Sequence, residues 1–247
     1  MNKVLVIKYA GFFAGVGSAL ILATFLQPEE TSKYAAMLSL VNILIPVISI
    51  GLPTMIIWSA ADAGLSKQVR KLYSTVTALS ALSLAVGLLG LVLSSQEWLL
   101  LVLLSLTNVA RCNAAYVRVT RSSVAAALSE SLGLKIMPAL LFLLLALYMG
   151  LTLWGVVSLQ AACALIFILV TYEYGSASFS GVTVAMTTMK TAAKKGSLQF
   201  IAVAAKEVDS IIALAVMDAS IAVSIFLGKR AYAIGSVVNE SSRLIYQ

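Results

Sequence analysis

Long apolar runs alternate along this chain with short polar connections, most of them basic. A helix needs about 20 apolar residues to cross the hydrocarbon layer. Eight runs fit that length, at 4–26, 36–57, 72–93, 98–117, 132–149, 153–172, 196–216 and 219–237. None shows the strict two-residue alternation of a membrane β-barrel strand. The pattern therefore predicts an all-α integral membrane protein with about eight transmembrane helices. The first run is too long for a signal-peptide core and no small-residue cleavage site follows it, so it reads as a retained span. The longest connection, 173–195, ends in VAMTTMKTAAKK. That stretch lacks Pro and Gly and turns basic at its end, which predicts a short helix lying at the cytoplasmic interface. The resulting division is a six-helix lobe with its interfacial helix over residues 1–192, then the first two helices of an incomplete second lobe over 193–247.

Composition sharpens the picture. Hydrophobic residues make up 61% of the chain and charged residues 11%, with a mean hydropathy of +1.01. Soluble domains are about a quarter charged, so lipid must be the solvent for most of this surface. The absence of His excludes a His-ligated metal and a His general base. Cys112 and Cys163 both lie in apolar runs, too few for a zinc site and poorly placed for a structural disulfide. No cofactor is expected.

The excess of 17 Lys+Arg over 10 Asp+Glu reads as loop charge rather than as a nucleic-acid footprint. One side of the predicted bundle carries Lys3, Lys8, Lys67, Arg70, Lys71, Arg118, Arg121, Lys190, Lys194, Lys195 and Arg243; the other carries Lys33 beside Glu29 and Glu30, then Glu97 and Asp218. The positive-inside rule then places both termini in the cytoplasm.

Charges at membrane depth are costly and each needs an account. The last two runs form a hairpin turning near Met217 and Asp218. Lys206 lies eleven residues before Met217, and Lys229 eleven after Asp218. At 1.5 Å per residue, both sit about 15 Å in. Lys206, Glu207, Lys229 and Arg230 are thus expected to form one belt at mid-membrane, with Asp209 a turn from Lys206. Two readings stand: the charges pair with one another inside a bundle, or they line a water-filled, net-positive cavity that receives an anionic group. The fourth run carries Asn108, Arg111, Ala115 and Arg118 on one helical stripe. Arg118 reads as an interfacial topology signal. Arg111 lies deeper, and either snorkels or faces the cavity. Lys135, a turn inside the fifth run, is expected to snorkel. Gly11 and Gly15 form a GxxxG pair that permits close packing. Pro46 and Pro53 predict a bent second helix.

Two stretches resemble a known family. GFFAGVGSALILATFL, a short loop, and YAAMLSLVNILIPVISIGLPTMI look like the first two helices of the Wzx-type polysaccharide-biosynthesis flippases, within the multidrug/oligosaccharidyl-lipid/polysaccharide superfamily. KKGSLQFIAVAAKEVDSIIALAVMDASIAVSIFLGKRAYAIGSVV looks like their seventh and eighth helices, with Asp209 before Ile211 and Ile212, and a Tyr232–Ala233 step. The family often has a proline at the start of its seventh helix, where Ser197 and Leu198 stand here. It also has about twelve to fourteen helices, so the resemblance implies a C-terminally truncated member.

The resemblance further implies two lobes around a V-shaped cavity in the bacterial inner membrane. The substrate would be an undecaprenyl-diphosphate-linked oligosaccharide, moved across the bilayer for O-antigen, capsule or exopolysaccharide synthesis. Arg111, Lys206, Lys229 and Arg230 are the expected cations of that cavity, and Glu207 and Asp209 the groups linked to a coupling ion. Polysaccharide polymerases or further copies of the chain would be its protein partners, and nucleic acid would not. The alternatives are an antiporter of another small molecule in the same superfamily and a non-transporting truncated membrane protein. No P-loop appears and no extramembrane loop is long enough to hold a catalytic site, so no enzyme activity is expected.

Overall fold

The computed structural model describes residues 3–59, 63–93, 95–120, 123–171 and 186–245. They are almost entirely helical, in the order α1 (Lys3–Phe25), α2 (Pro28–Ile48), α3 (Leu52–Ser59), α4 (Ala63–Leu93), α5 (Leu99–Thr120), α6 (Ser123–Ser131), α7 (Met137–Tyr148), α8 (Leu153–Thr171), α9 (Met186–Val216) and α10 (Ala219–Ile245). A π-helical turn, Leu132–Ile136, joins α6 to α7, and a 3₁₀ turn, Gln96–Trp98, leads into α5.

Among the described residues, six helices are long and apolar enough to cross a membrane: Val6–Phe25, Pro28–Ile48, Val76–Leu93, Gln96–Val119, Ala127–Tyr148 and Leu153–Thr171. This is a multi-pass, membrane-embedded helical protein. These six fall on the first six of the eight expected runs. The last two expected runs fall on α9 and α10, 31 and 27 residues long, which carry Lys206, Glu207 and Asp209, and Lys229 and Arg230.

Two expectations need correction. The second run, expected as one bent helix over 36–57, is two helices. Ile50 and Gly51 take left-handed φ values of 51° and 69°, which end α2 and start α3 afresh. Pro53 then sits in the first turn of α3, where its missing N–H costs nothing, while Pro46 stays inside α2. The separate interfacial helix expected over VAMTTMKTAAKK does not exist as such: from Met186 onward it is the first part of α9. Nothing between Met186 and Gly196 breaks a helix, so it propagates through the expected division at 192/193. Residues 172–185 lie outside the described residues, and Lys67, Arg70, Lys71, Arg121, Lys195 and Arg243 lie outside the described side chains.

α5 has the largest buried share of the six apolar spans. It packs on α8, α4, α3 and α2. The main core joins Leu22, Val41, Ile45, Leu103, Phe142, Val156 and Phe226, and a smaller cluster of Leu52, Met55, Ile56, Val76 and Cys112 fills the space between α3, α4 and α5. Lipid gives no hydrophobic drive between helices, so polar ties matter. Asn108 Nδ2 donates to Ser80 Oγ (2.9 Å) and Ser83 Oγ meets Ser105 Oγ (2.7 Å), binding α4 to α5. Asn113 accepts from Tyr73 and donates to Thr171 Oγ1 (3.3 Å), binding α5 to α4 and α8.

The final hairpin folds back on the start of the chain. α9 lies along α2, and α10 lies against α1 and α2. Gly196 makes this approach possible, because a Cβ there would stand 2.8 Å from the Gly51 backbone nitrogen. Backbone cannot yield as a flexible side chain can. Gly196→Val is therefore expected to cost about 1–3 kcal/mol by overpacking, read as a lowered melting temperature in detergent. An unchanged melting temperature would show that α9 does not close on the α2–α3 break.

Candidate functional site

A cavity of about 650 Å³ opens between α1, α2, α5, the α6–α7 segment, α8 and α10. Its walls are built by small residues and by one irregular turn. On α1, Gly11 closes on the α6 end: a Cβ there would meet Ser131 Oγ at 2.7 Å and Lys135 Cδ at 3.3 Å. Gly15 and Gly17 instead have open space above them, so only the first half of the GxxxG pair serves packing. Lys135, expected to snorkel, lies in the π-helical turn, is exposed and lines the cavity. π-turns recur at functional sites because they re-aim side chains by about a residue's rotation.

Among the described residues, four cations line the space, Arg111, Arg118, Lys135 and Arg230, against one carboxylate, Glu130. Arg118 donates to Glu130 (2.8 Å) at an exposed edge of the cavity, so it is more than the topology signal the sequence suggested. The stripe read along the fourth run splits. Ala115 and Arg118 join Arg111 at the cavity, whereas Asn108 is buried against α4 and its Oδ1 finds no hydrogen-bond partner among the described residues. The lining also holds uncharged polar groups, with the Tyr34 hydroxyl donating to Gln160 Oε1 (2.7 Å).

Arg111 is held from behind. Its Nη2 donates to Asn42 Oδ1 (2.5 Å), Asn42 Nδ2 donates to Glu207 Oε1 (3.1 Å), and Ser39 Oγ donates to Glu207 Oε2 (3.0 Å). The guanidinium on α5 is thus tied through α2 to a carboxylate on α9. Such chains fix orientation and let the acid offset the cation through a polar bridge.

The expected mid-membrane belt separates into three directions. Arg230 lines the cavity with its guanidinium 5.3 Å from the Phe226 ring centroid. Glu207 faces α2. Lys206, Lys229 and Asp209 do not line the cavity: Lys229 Nζ donates to the Lys206 carbonyl and to Asp209 Oδ1, both at 2.5 Å, and Lys206 is exposed. Of the four cations expected to bind substrate, Arg111 and Arg230 therefore meet at one cavity, and Lys206 and Lys229 lie elsewhere. Sequence reasoning gave Arg118 and Lys135 other roles and passed over Glu130, Tyr34 and Gln160. For Lys135, Gly133 two residues earlier was a usable hint of irregular helix. Compared with protein-family models, with curated proteins and with solved structures, the chain finds no match in any of the three.

Proposed function

We propose that the chain is a transporter that moves an anionic, lipid-linked oligosaccharide across the bacterial inner membrane, with both termini in the cytoplasm. The observation that carries this reading is the cavity among membrane-spanning helices, lined among the described residues by Arg111, Arg118, Lys135 and Arg230 against Glu130. A cation in a poorly hydrated site attracts a diphosphate far more strongly than in water, and Arg presents a planar fork suited to phosphate oxygens. Ionisable groups inside a transmembrane bundle are costly and mark substrate or ion pathways. An undecaprenyl-diphosphate-linked repeat unit fits that chemistry, with its diphosphate among the cations and its sugars on polar groups such as Tyr34 and Gln160.

The sign of the lining favours this over export of cationic drugs, which would call for acids. Glu207 and Asp209 are the groups assigned to ion coupling. Glu207 is the better placed, because it accepts from Ser39 and Asn42 and through Asn42 is tied to Arg111 at the cavity.

The test is complementation. The chain is expressed in a bacterium lacking its own repeat-unit flippase, and surface polysaccharide is measured. Restored polysaccharide that falls at least tenfold with Arg230→Ala, at equal membrane levels, is the expected result. Polysaccharide unchanged by Arg230→Ala would remove the cationic cavity from the mechanism. No polysaccharide at all, with the chain in the membrane, would overturn the proposed substrate for this chain.

A further inference from the structure

One exposed face of α9 carries surplus positive charge at mid-membrane. Glu207 accepts from Ser39 and Asn42, midway along α2, itself long and apolar enough to span the membrane. Lys206 is next to Glu207 in sequence and Asp209 lies two residues on, so both share that depth. With about 100° between successive residues, Ala202, Ala205, Lys206 and Asp209 fall on one side of the helix, and Glu207 points the other way, toward α2. All four are exposed, Asp209 over 59% of its side chain, and none of them lines the cavity. Lys229 reaches the same face from α10, where it donates to the Lys206 carbonyl and to Asp209 Oδ1. Among the described residues the face thus gathers two ammonium groups, of Lys206 and Lys229, and one carboxylate, of Asp209.

The surplus calls for an anion, and depth restricts where one can come from. Half the hydrocarbon layer, about 15 Å, separates this level from the headgroups on either side. Anionic lipid phosphates therefore lie beyond the reach of a lysine. Ionisable side chains at such depth face protein or a water-filled space, not hydrocarbon. A second copy of this face would bring the same surplus and be repelled. A carboxylate fits, and at this depth a carboxylate is carried by another membrane-spanning helix. The surface also suits a helix. Ala202 and Ala205, beside Lys206 and Asp209, present nothing beyond Cβ, and small residues let helix backbones approach closely in membranes.

We propose that this face of α9 docks a transmembrane helix carrying an Asp or Glu at mid-depth. The incoming carboxylate accepts from Lys206, and Asp209 stays with Lys229, so the docked face is neutral. Such a charge-assisted hydrogen bond is stronger away from water. The partner's backbone lies along Ala202 and Ala205. The proposal is independent of what the cavity carries.

Photo-crosslinking to model helices tests it. The chain is reconstituted in phosphatidylcholine vesicles with a polyleucine transmembrane peptide that has one central Asp and a benzophenone group one turn away. Peptides with Asn, Ala or Lys in place of the Asp are compared with it. The Asp peptide should give an adduct that maps by mass spectrometry to 198–212 of α9, at least about fivefold above the other three. Lys206→Met should lose that excess, and Lys206→Glu should transfer it to the Lys peptide. Both variants change an exposed side chain and keep the carbonyl that Lys229 uses, so the fold should survive. Equal adducts from the Asp and Asn peptides would mean random contact and overturn the proposal. So would a preference for Asp that survives Lys206→Met, an adduct on α1 to α8 instead, or no adduct with any peptide. With Cys112 and Cys163 replaced by Ala, Ala205→Cys should resist a membrane-impermeant maleimide. Its modification would mean that the face lines water and would equally overturn the proposal.

Discussion

Arg111→Ala is expected to lower polysaccharide export at least about tenfold while the chain still reaches the membrane in normal amount. The guanidinium lines the cavity at a position where Asn42, backed by Glu207, fixes its direction. A hydrogen bond to a charged group contributes about 1.5–3 kcal/mol, which is about tenfold to about 150-fold in affinity. While the site is unsaturated, the same loss falls on the rate of export. The fold should survive, because Glu207 keeps both of its donors, Ser39 and Asn42, when Arg111 is removed. Arg111→Lys keeps the charge and loses the planar fork, so partial export is expected. The readout is surface polysaccharide per unit of membrane protein in the complemented strain. Full export by Arg111→Ala would remove this residue from the substrate path. Full export by both Arg111→Ala and Arg230→Ala would sink the cationic-cavity reading as a whole.

How much of this site could be read from the residues follows from what helical arithmetic contains. The apolar runs announced the spans, because run length and hydrocarbon thickness are linked. Depth was legible too: Lys206 and Lys229, counted from the turn, do meet through the Lys206 carbonyl. Azimuth was neglected. At about 100° per residue, Lys206 and Asp209 share one side, and Glu207 points well away from both. Lys229 and Arg230 diverge in the same way, which is why one faces outward and the other the cavity. A helical projection of 206–209 would have divided the belt correctly.

Other misses were beyond local arithmetic. The π-helical turn at Leu132–Ile136 changes the register of everything after it, and Lys135 with it. Gly133 lies there because a Cβ would stand 2.5 Å from Phe167 Cδ2, a contact with α8 that no local pattern encodes. The break between α2 and α3 rests on Ile50 in a left-handed conformation that a β-branched residue rarely takes. Tertiary packing of α3 against α4, α5 and α9 holds it there, and local propensity argued for a continuous helix. The fusion of the interfacial segment with α9 was closer to hand, since a stretch without helix breakers gives no reason to stop.

Glu207→Leu is expected to loosen the hairpin from the rest of the bundle and to lower export with it. The carboxylate is where Ser39 Oγ, Asn42 Nδ2 and, through Asn42, Arg111 converge. Leucine is close in size, so packing along α2 is largely kept and the polar loss dominates. Interhelical hydrogen bonds in membranes contribute about 0.6 kcal/mol on average, up to about 1.7. Two of them disappear, and Arg111 loses the anion that offsets it, which sets the expected cost at about 1–3 kcal/mol. For a chain of this size that is about 2–4 °C in melting temperature per kcal/mol. Glu207→Gln keeps one acceptor oxygen and should lose less than half as much stability.

The pair of variants separates two roles that one variant would merge. If Glu207 only ties α9 to α2, Gln should restore export in proportion to the stability it restores. If Glu207 also exchanges a proton or cation during transport, Gln should fold nearly as well as the native chain and still fail to export. Removing the donors gives the complementary view. Ser39→Ala with Asn42→Ala leaves the carboxylate in place without its partners, and should lower the melting temperature about as far as Glu207→Leu. Native stability in Glu207→Leu would show that the α9–α2 contact rests on apolar packing alone, with the network from Arg111 to Glu207 contributing nothing measurable.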